Sequence, residues 1–335
     1  MRLVTFVPPS TPSAEGRPAP TSPPGVPVPS RTGVLAGEEI VDLTDPAVGL
    51  PGDMATLLGA GEPALQAARR APATAARRFG AGEVRLLAPV PAPPKVLAIG
   101  MNYRAHVAEL GREAPEFQYW FNKQRTCVVG PGAGIAVPAV SDKVDYEGEL
   151  AVVIGCRCRH VPAARAMEVV AGFGVMKDVS VRDWQWRTPT FTMGKSFDTH
   201  GPLGPGIVTP DEIVDPGALA VRTWVNGELR QSGSTADLIF GLGEMIEYLT
   251  TAFTLEPGDV LATGTPAGVG ASFDPPRWLV AGDTVRIEVE GVGVLENPVV
   301  AEGEPVPVGL GQGPGERRAL PGRTRGDGAG SRAAR

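Results

Sequence analysis

Glycine and proline limit the fold of this chain more than any other feature. They supply 44 and 35 of its 335 residues, a density that suits many turns and short strands rather than a helical bundle. The apolar runs between these breaks have strand length. Residues 96–100 and 150–154 are two such runs, and 219–225 is a third that ends at Asn226-Gly227, a strong hairpin-turn pair. Residues 285–290 alternate with period two and stop at Gly291. Helical spacing is confined to short stretches, chiefly 102–110, 163–171 and 237–251. No repeat of about 20–50 residues is present, which argues against a solenoid or propeller. The expected class is α+β, mostly β.

Three stretches stand apart in composition. Residues 8–31 are rich in Pro, Ser and Ala, with almost no bulky apolar side chain, and read as a disordered or polyproline-like insert. On either side, 2–7, 32–36 and 39–43 read as hairpin strands, and 46–80 as small helices. Residues 89–95 form a proline-rich connector, a natural boundary. Residues 303–335 lack aromatics, are rich in Gly and Arg, and read as a disordered basic tail. The expected organisation is a small N-terminal α+β domain over 1–90, a larger domain over 91–302 and the tail. Lys and Arg total 31 against 37 Asp and Glu, a net charge of −6. No basic stripe marks a nucleic-acid partner. No apolar run approaches the roughly 18–20 residues of a membrane span, and residues 1–7 are too short for a secretory leader. Three cysteines do not make a disulfide scaffold and point to a reducing, cytoplasmic setting.

With only three histidines, at 106, 160 and 200, any metal site must rest mainly on carboxylates. Glu147 and Glu149 precede an apolar strand and, two residues apart, share a face. Two adjacent carboxylates repel unless a cation or proton compensates, and oxygen ligands suit a hard divalent ion. The alternative is a solvent-facing edge with two unrelated glutamates. Asp178 follows another apolar stretch, as a third ligand or as a helix cap. His106 and Glu109 fall on one helical face, either as a general base with its supporting carboxylate or as a surface ion pair. Gly194 lets the backbone approach closely beside Lys195. The turn 263–270 offers backbone amides and the Thr265 hydroxyl to an anion. Cys156 and Cys158 read as an alternating strand end, and Trp184 and Trp186 as core or as a substrate wall.

Taken in order, five segments resemble the motifs of the fumarylacetoacetate hydrolase family. They are Gly100–His106, Asp145–Leu150, Lys177–Asp183, Gly194–Thr199, and Leu255–Val260 with Thr263–Pro266. The resemblance covers about 95–300. It implies a β-roll of coiled mixed sheets, a homodimer, and a bound Mg²⁺ (or Mn²⁺ or Ca²⁺). Carried over, Glu147, Glu149 and Asp178 resemble metal ligands, and His106 and Glu109 the catalytic dyad. Lys195 resembles the lysine near the metal and substrate oxygens, and Thr265 the threonine that holds a substrate carboxylate. Lys123, after an aromatic-rich strand, and Arg104 are further expected to line the pocket. Lys177 departs from the family, which commonly carries Asn there; a cation beside Asp178 would weaken metal binding or reach substrate.

The implied activity is hydrolysis of a C–C bond in a 1,3-dicarbonyl or acylpyruvate-type 2-oxo acid through a metal-stabilised enolate, with water activated by His106. Decarboxylation or isomerisation of a 2-oxo acid or diacid is the alternative on the same site. A non-catalytic small-molecule binder is the alternative from another class, and Lys177 favours it.

Overall fold

One mixed sheet of twelve strands holds Glu149 on an inner strand, with Glu147 and Asp178 just beyond the ends of that strand and its neighbour. The structure, a computed structural model, describes residues 1–9 and 30–303. In spatial order the main path is Arg78–Gly80, Glu39–Asp42, Arg31–Ala36, Arg2–Val7, Gly201–Val208, Val170–Lys177, Gly148–Ile154, Val260–Ala262, Val96–Gly100 and Tyr119–Lys123. Two short strands pair off this path. Neighbours along the path are antiparallel except Val260–Ala262 with Val96–Gly100, which pair in parallel. A second, five-stranded sheet holds Glu228–Ser234, Ala220–Val225, Thr284–Val289, Gly293–Ala301 and Ile135–Val137. The fold is mostly β with mixed sheets, as the sequence implies.

Gly148–Ile154 and Val170–Lys177 are buried along their whole length. Strands covered on both faces lose the period-two alternation that marks a half-exposed strand. Between the two sheets lies the largest core cluster, including Leu150, Val152, Phe173, Val175, Val221, Ile287 and Leu295. Gly148 sits where the sheets press together, since a Cβ there would fall 2.3 Å from Thr223 Oγ1.

The N-terminal strands form the expected hairpin, with Arg2 opposite Leu35 and Phe6 opposite Arg31. They also join the main sheet: Arg2–Val7 pairs with Gly201–Val208, placing Leu3 opposite Ile207. Segment 1–90, expected as a small domain, therefore shares one sheet with the rest, and residues 1–303 form one compact unit. Two helices, Met54–Gly59 and Glu62–Thr74, cover it. The proline-rich insert and the basic tail fall, apart from their edges, outside the described residues. No described helix is long and apolar enough to cross a membrane.

Three helices differ from expectation. The 102–110 helix spans Arg104–Glu109. The 163–171 helix is a 3₁₀ segment, Ala163–Val169, that passes directly into a strand at Val170. The 237–251 helix starts later, at Leu242, because Glu244 accepts a hydrogen bond from the Gly241 N–H at 2.7 Å and caps it there.

Candidate active site

A break in two paired strands brings the acidic residues together. Gly148 pairs with Lys177 in the main sheet, and beyond it Asp145 pairs with Ser180 in a separate two-stranded ladder. Glu147 and Asp178 occupy the junction, tied by the Asp178 N–H to the Glu147 carbonyl at 2.9 Å. Glu149 lies two residues further on and shares the face of Glu147. Glu147, Glu149 and Asp178 are 5%, 1% and 0% exposed, so the solvent-facing alternative is ruled out. One carboxylate oxygen from each lies within 4.8 Å of the others.

Three cations answer this charge. The Lys195 ammonium donates to Glu147 Oε2 at 2.6 Å and Asp178 Oδ2 at 2.7 Å. Lys123 donates to Asp178 Oδ1 at 2.7 Å, and Arg182 lies 2.7 Å from Glu147 Oε1. Burial works against the ionised form of Glu147, but Lys195 and Arg182, with a contribution from His106, outweigh it and hold its carboxyl well below the usual range. Glu149 behaves oppositely: burial, then Asp178 and Glu147 beside it, raise it well above that range. Its one hydrogen bond comes from the Gly264 N–H at 2.8 Å, and among the described residues no ion pair reaches it. Three buried carboxylates, one without a cationic partner, form a donor set that fits a hard divalent ion.

His106 stands on the wall of the same cavity, which Trp186, Thr265, Glu147, Glu149 and Lys195 also line. Its Nδ1 meets Glu109 Oε2 at 3.1 Å, and Glu109 Oε1 accepts from the Gly268 N–H at 2.8 Å. Burial alone would raise Glu109, yet the bonds from His106 and Gly268 outweigh it and lower its pKa. An ionised Glu109 puts the imidazole proton on Nδ1 and leaves the Nε2 lone pair free.

The other expected site residues are placed as follows. Thr265 lines the cavity, but its hydroxyl donates to the Gly148 carbonyl at 3.1 Å and accepts from Gln231 Nε2 at 2.8 Å. Lys123 sits behind the cluster, 3% exposed, with its other donors on the Val179 and Lys195 carbonyls. Arg104 donates to the Leu238 carbonyl at 2.8 Å and braces the dyad helix. Lys177 points to the opposite side of its strand, onto the Val285 carbonyl at 2.6 Å and Asn297 Oδ1 at 2.7 Å. Among the described residues it makes no hydrogen bond to Asp178 and does not line the cavity, so the contact expected to weaken a metal site is not present. Gly194 shows the expected close approach, since a Cβ there would lie 2.2 Å from the Gln185 nitrogen. Trp186 joins the cavity wall, whereas Trp184 packs edge-on against Phe197 at 5.2 Å. His200 is fully buried, and that burial drops its pKa to about 4, so it is a neutral structural residue.

The glycine-rich turn does bind anions, but they are the protein's own. The Gly264 N–H serves Glu149, the Gly268 N–H serves Glu109, and the Gly270 and Ala271 N–H groups serve Asp145 at 2.7 and 2.9 Å. Sequence reasoning gave no role to Asp145, Arg182 or Gln231. No local signal marks them, because Asp145 and Arg182 stand among other charged and polar residues in the sequence and their burial follows only from the fold.

Known proteins agree with this architecture. Residues 95–300 match the model of the fumarylacetoacetate (FAA) hydrolase C-terminal domain. The chain is 44% identical over 267 residues to the mitochondrial oxaloacetate tautomerase Fahd2a of Rattus norvegicus, covering 79% of this chain and 85% of that one. It superposes on 5-carboxymethyl-2-hydroxymuconate delta-isomerase from Mycobacterium smegmatis with a TM-score of 0.69 at 36% identity, over 91% of this chain and 100% of that one. Maleylpyruvate hydrolase from Sphingobium sp. SYK-6, solved with manganese(II) and pyruvate, gives 0.71 at 32% identity, over 90% and 99%. The extent of these matches shows that the chain belongs to the fumarylacetoacetate hydrolase family.

Proposed function

We propose that this enzyme interconverts the keto and enol forms of a 2-oxo dicarboxylic acid such as oxaloacetate, with a divalent ion held by Glu147, Glu149 and Asp178. The observation that carries this reading is the placement of one imidazole, fixed through Nδ1 by Glu109, on the same cavity as Glu147 and Glu149 of the three-carboxylate cluster. The 44% identity to an oxaloacetate tautomerase supports it. When bound, the ion supplies a Lewis acid that favours the enolate of a chelating 2-oxo acid. His106 Nε2 takes the proton from carbon 3, and the imidazolium returns a proton to the carbonyl oxygen. Glu109 keeps the ring in the required tautomer throughout. The Lys195 ammonium adds positive charge beside the developing oxyanion. Thr265 reaches a substrate carboxylate only by turning its hydroxyl proton from the Gly148 carbonyl. Lys123 and Arg104 act as supports, one of Asp178 and one of the dyad helix.

Hydrolysis is the second reading, favoured by the structural likeness to maleylpyruvate hydrolase. There His106 deprotonates water that attacks the carbonyl beyond the C–C bond. The test follows the enol absorbance of oxaloacetate with Mg²⁺, with Mn²⁺ and with chelator, and analyses products from a panel of acylpyruvates. The expected result is metal-dependent enol–keto exchange without carbon loss, reduced about 10²–10⁴-fold in His106→Ala. Two carbon fragments from an acylpyruvate, with no acceleration of exchange, would establish hydrolysis instead. Full turnover in His106→Ala would remove the base assignment from both readings.

A further inference from the structure

The dyad is held by a loop, and the loop is held by two consecutive residues to which the proposed chemistry assigns nothing. Asp145 is fully buried. Its Oδ1 accepts from the Tyr146 and Gly270 N–H groups at 2.8 and 2.7 Å, and its Oδ2 from the Ala271 N–H at 2.9 Å. Arg182 Nε, 2.8 Å from Oδ2, balances its charge. Tyr146 is 1% exposed and donates its hydroxyl to the Gly268 carbonyl at 3.0 Å. The N–H of the same Gly268 then donates to Glu109.

The loop has no slack. Gly268 has φ +101°, and a Cβ on it would meet the Arg230 carbonyl at 2.0 Å. A Cβ on Gly270 would meet the Arg277 carbonyl at 2.2 Å. The dyad helix, by contrast, has six residues and leads into an exposed stretch at 108–114. At its start the Ala105 N–H donates to Asp237 at 2.9 Å. At its end the Glu109 carboxylate takes the Gly268 N–H. A helix this short is not stable by itself, so the loop contact sets where Glu109, and through it His106, comes to rest.

We propose that Asp145 and Tyr146 form a clamp that positions the His106–Glu109 dyad through the loop Gly268–Ala271. They are positioning residues and touch no substrate. The clamp rests on the reading of that dyad as the base of the proposed reaction. Asp145 also meets Arg182, so Tyr146→Phe, which keeps the ring and removes only the hydroxyl, is the cleaner variant. In Tyr146→Phe, amide hydrogen exchange across 104–110 is expected to quicken relative to the unsubstituted protein. Turnover of oxaloacetate is expected to fall about 10- to 100-fold in kcat with KM within about twofold, the signature of misplacement rather than lost binding. Adding Tyr146→Phe to Glu109→Ala, which removes the acceptor of the Gly268 N–H, is expected to cost nothing further, since both then act through one contact. Unchanged exchange at 104–110, or losses that multiply in the double variant, would overturn the clamp. Exchange is read without turnover, so quickened exchange in a protein inert toward every 2-oxo acid tested would uphold the clamp and dismiss the proposed activity.

Discussion

Replacing Glu149 with Gln should separate folding from metal binding. The three acidic side chains place oxygens within 4.8 Å of one another, so ionising Glu149 beside a charged neighbour without a cation costs about 3.5 kcal/mol at an effective dielectric of about 20, a cost seen in its raised pKa. Lys195, Lys123 and Arg182 answer Glu147 and Asp178. Among the described residues Glu149 has only the Gly264 N–H, a bond that an amide oxygen also accepts. Metal-free Glu149→Gln is therefore expected to melt at or above the temperature of the unsubstituted protein. A divalent ion at about a hundred times its Kd stabilises the unsubstituted protein by about 2.7 kcal/mol, on the order of 5 °C in Tm for a chain of this size. With one of three anionic donors gone, that rise should fall by more than half. Thermal denaturation followed by circular dichroism, in chelator and across Mn²⁺ and Mg²⁺ series, reads both quantities. A full metal-induced rise in Glu149→Gln, or a metal-free Tm several degrees lower, would refute the reasoning.

Two further outcomes are expected. Lys177→Met leaves the Val285 carbonyl and Asn297 Oδ1 without this donor, a loss of about 1–3 kcal/mol for each buried acceptor, partly offset because an amine whose pKa burial pushes well down no longer has to be buried. Urea unfolding should show the loss and calorimetric titration an unchanged metal affinity; a tenfold change in affinity would mean that Lys177 acts on the acidic cluster. Asp42 is fully buried. Burial alone would raise its pKa, but bonds from Thr44, Arg31 and Arg77 outweigh that and lower it. A carboxylate depressed by folding adds stability above its unfolded pKa and loses it as pH falls through the folded value. Asp42→Asn should therefore cost about 1–3 kcal/mol at pH 7, and this difference should fade below about pH 4, the unfolded carboxylate value. Parallel urea titrations between pH 7 and pH 2 check it, and a gap that does not narrow as pH falls below about 4 counts against the assignment.

Much of this was legible because the relevant residues break a local rule. Glu147 and Glu149 stand out as charges at the mouth of an apolar strand, and Asn226-Gly227 announces its hairpin, with φ of +53° and +80°. Val170–Lys177 was not recognised as a strand. Its burial on both faces erases the alternation, and two glycines interrupt it. Gly201–Val208 was missed for a related reason: three glycines and two prolines in eight residues read as a loop, yet it is an inner strand that joins the N-terminal hairpin to the core. Such pairings join residues some two hundred positions apart, and spacing along the chain carries no trace of them. The direction of Lys177 was likewise hidden, because a one-residue step on a strand reverses the face and the strand itself had not been identified.

The glycine-rich turn also bears on how an enzyme of this architecture acquires new substrates. Its amides at Gly264, Gly268, Gly270 and Ala271 are already committed to three internal carboxylates. Any change that retunes this turn for a different ligand would disturb the proposed base and the cation-binding cluster together. Variation can accumulate more cheaply at Trp186, a half-exposed residue of the same cavity that makes none of these bonds. The residues that would shape selectivity are thus separable from those that hold the turn, and only the former are free to drift.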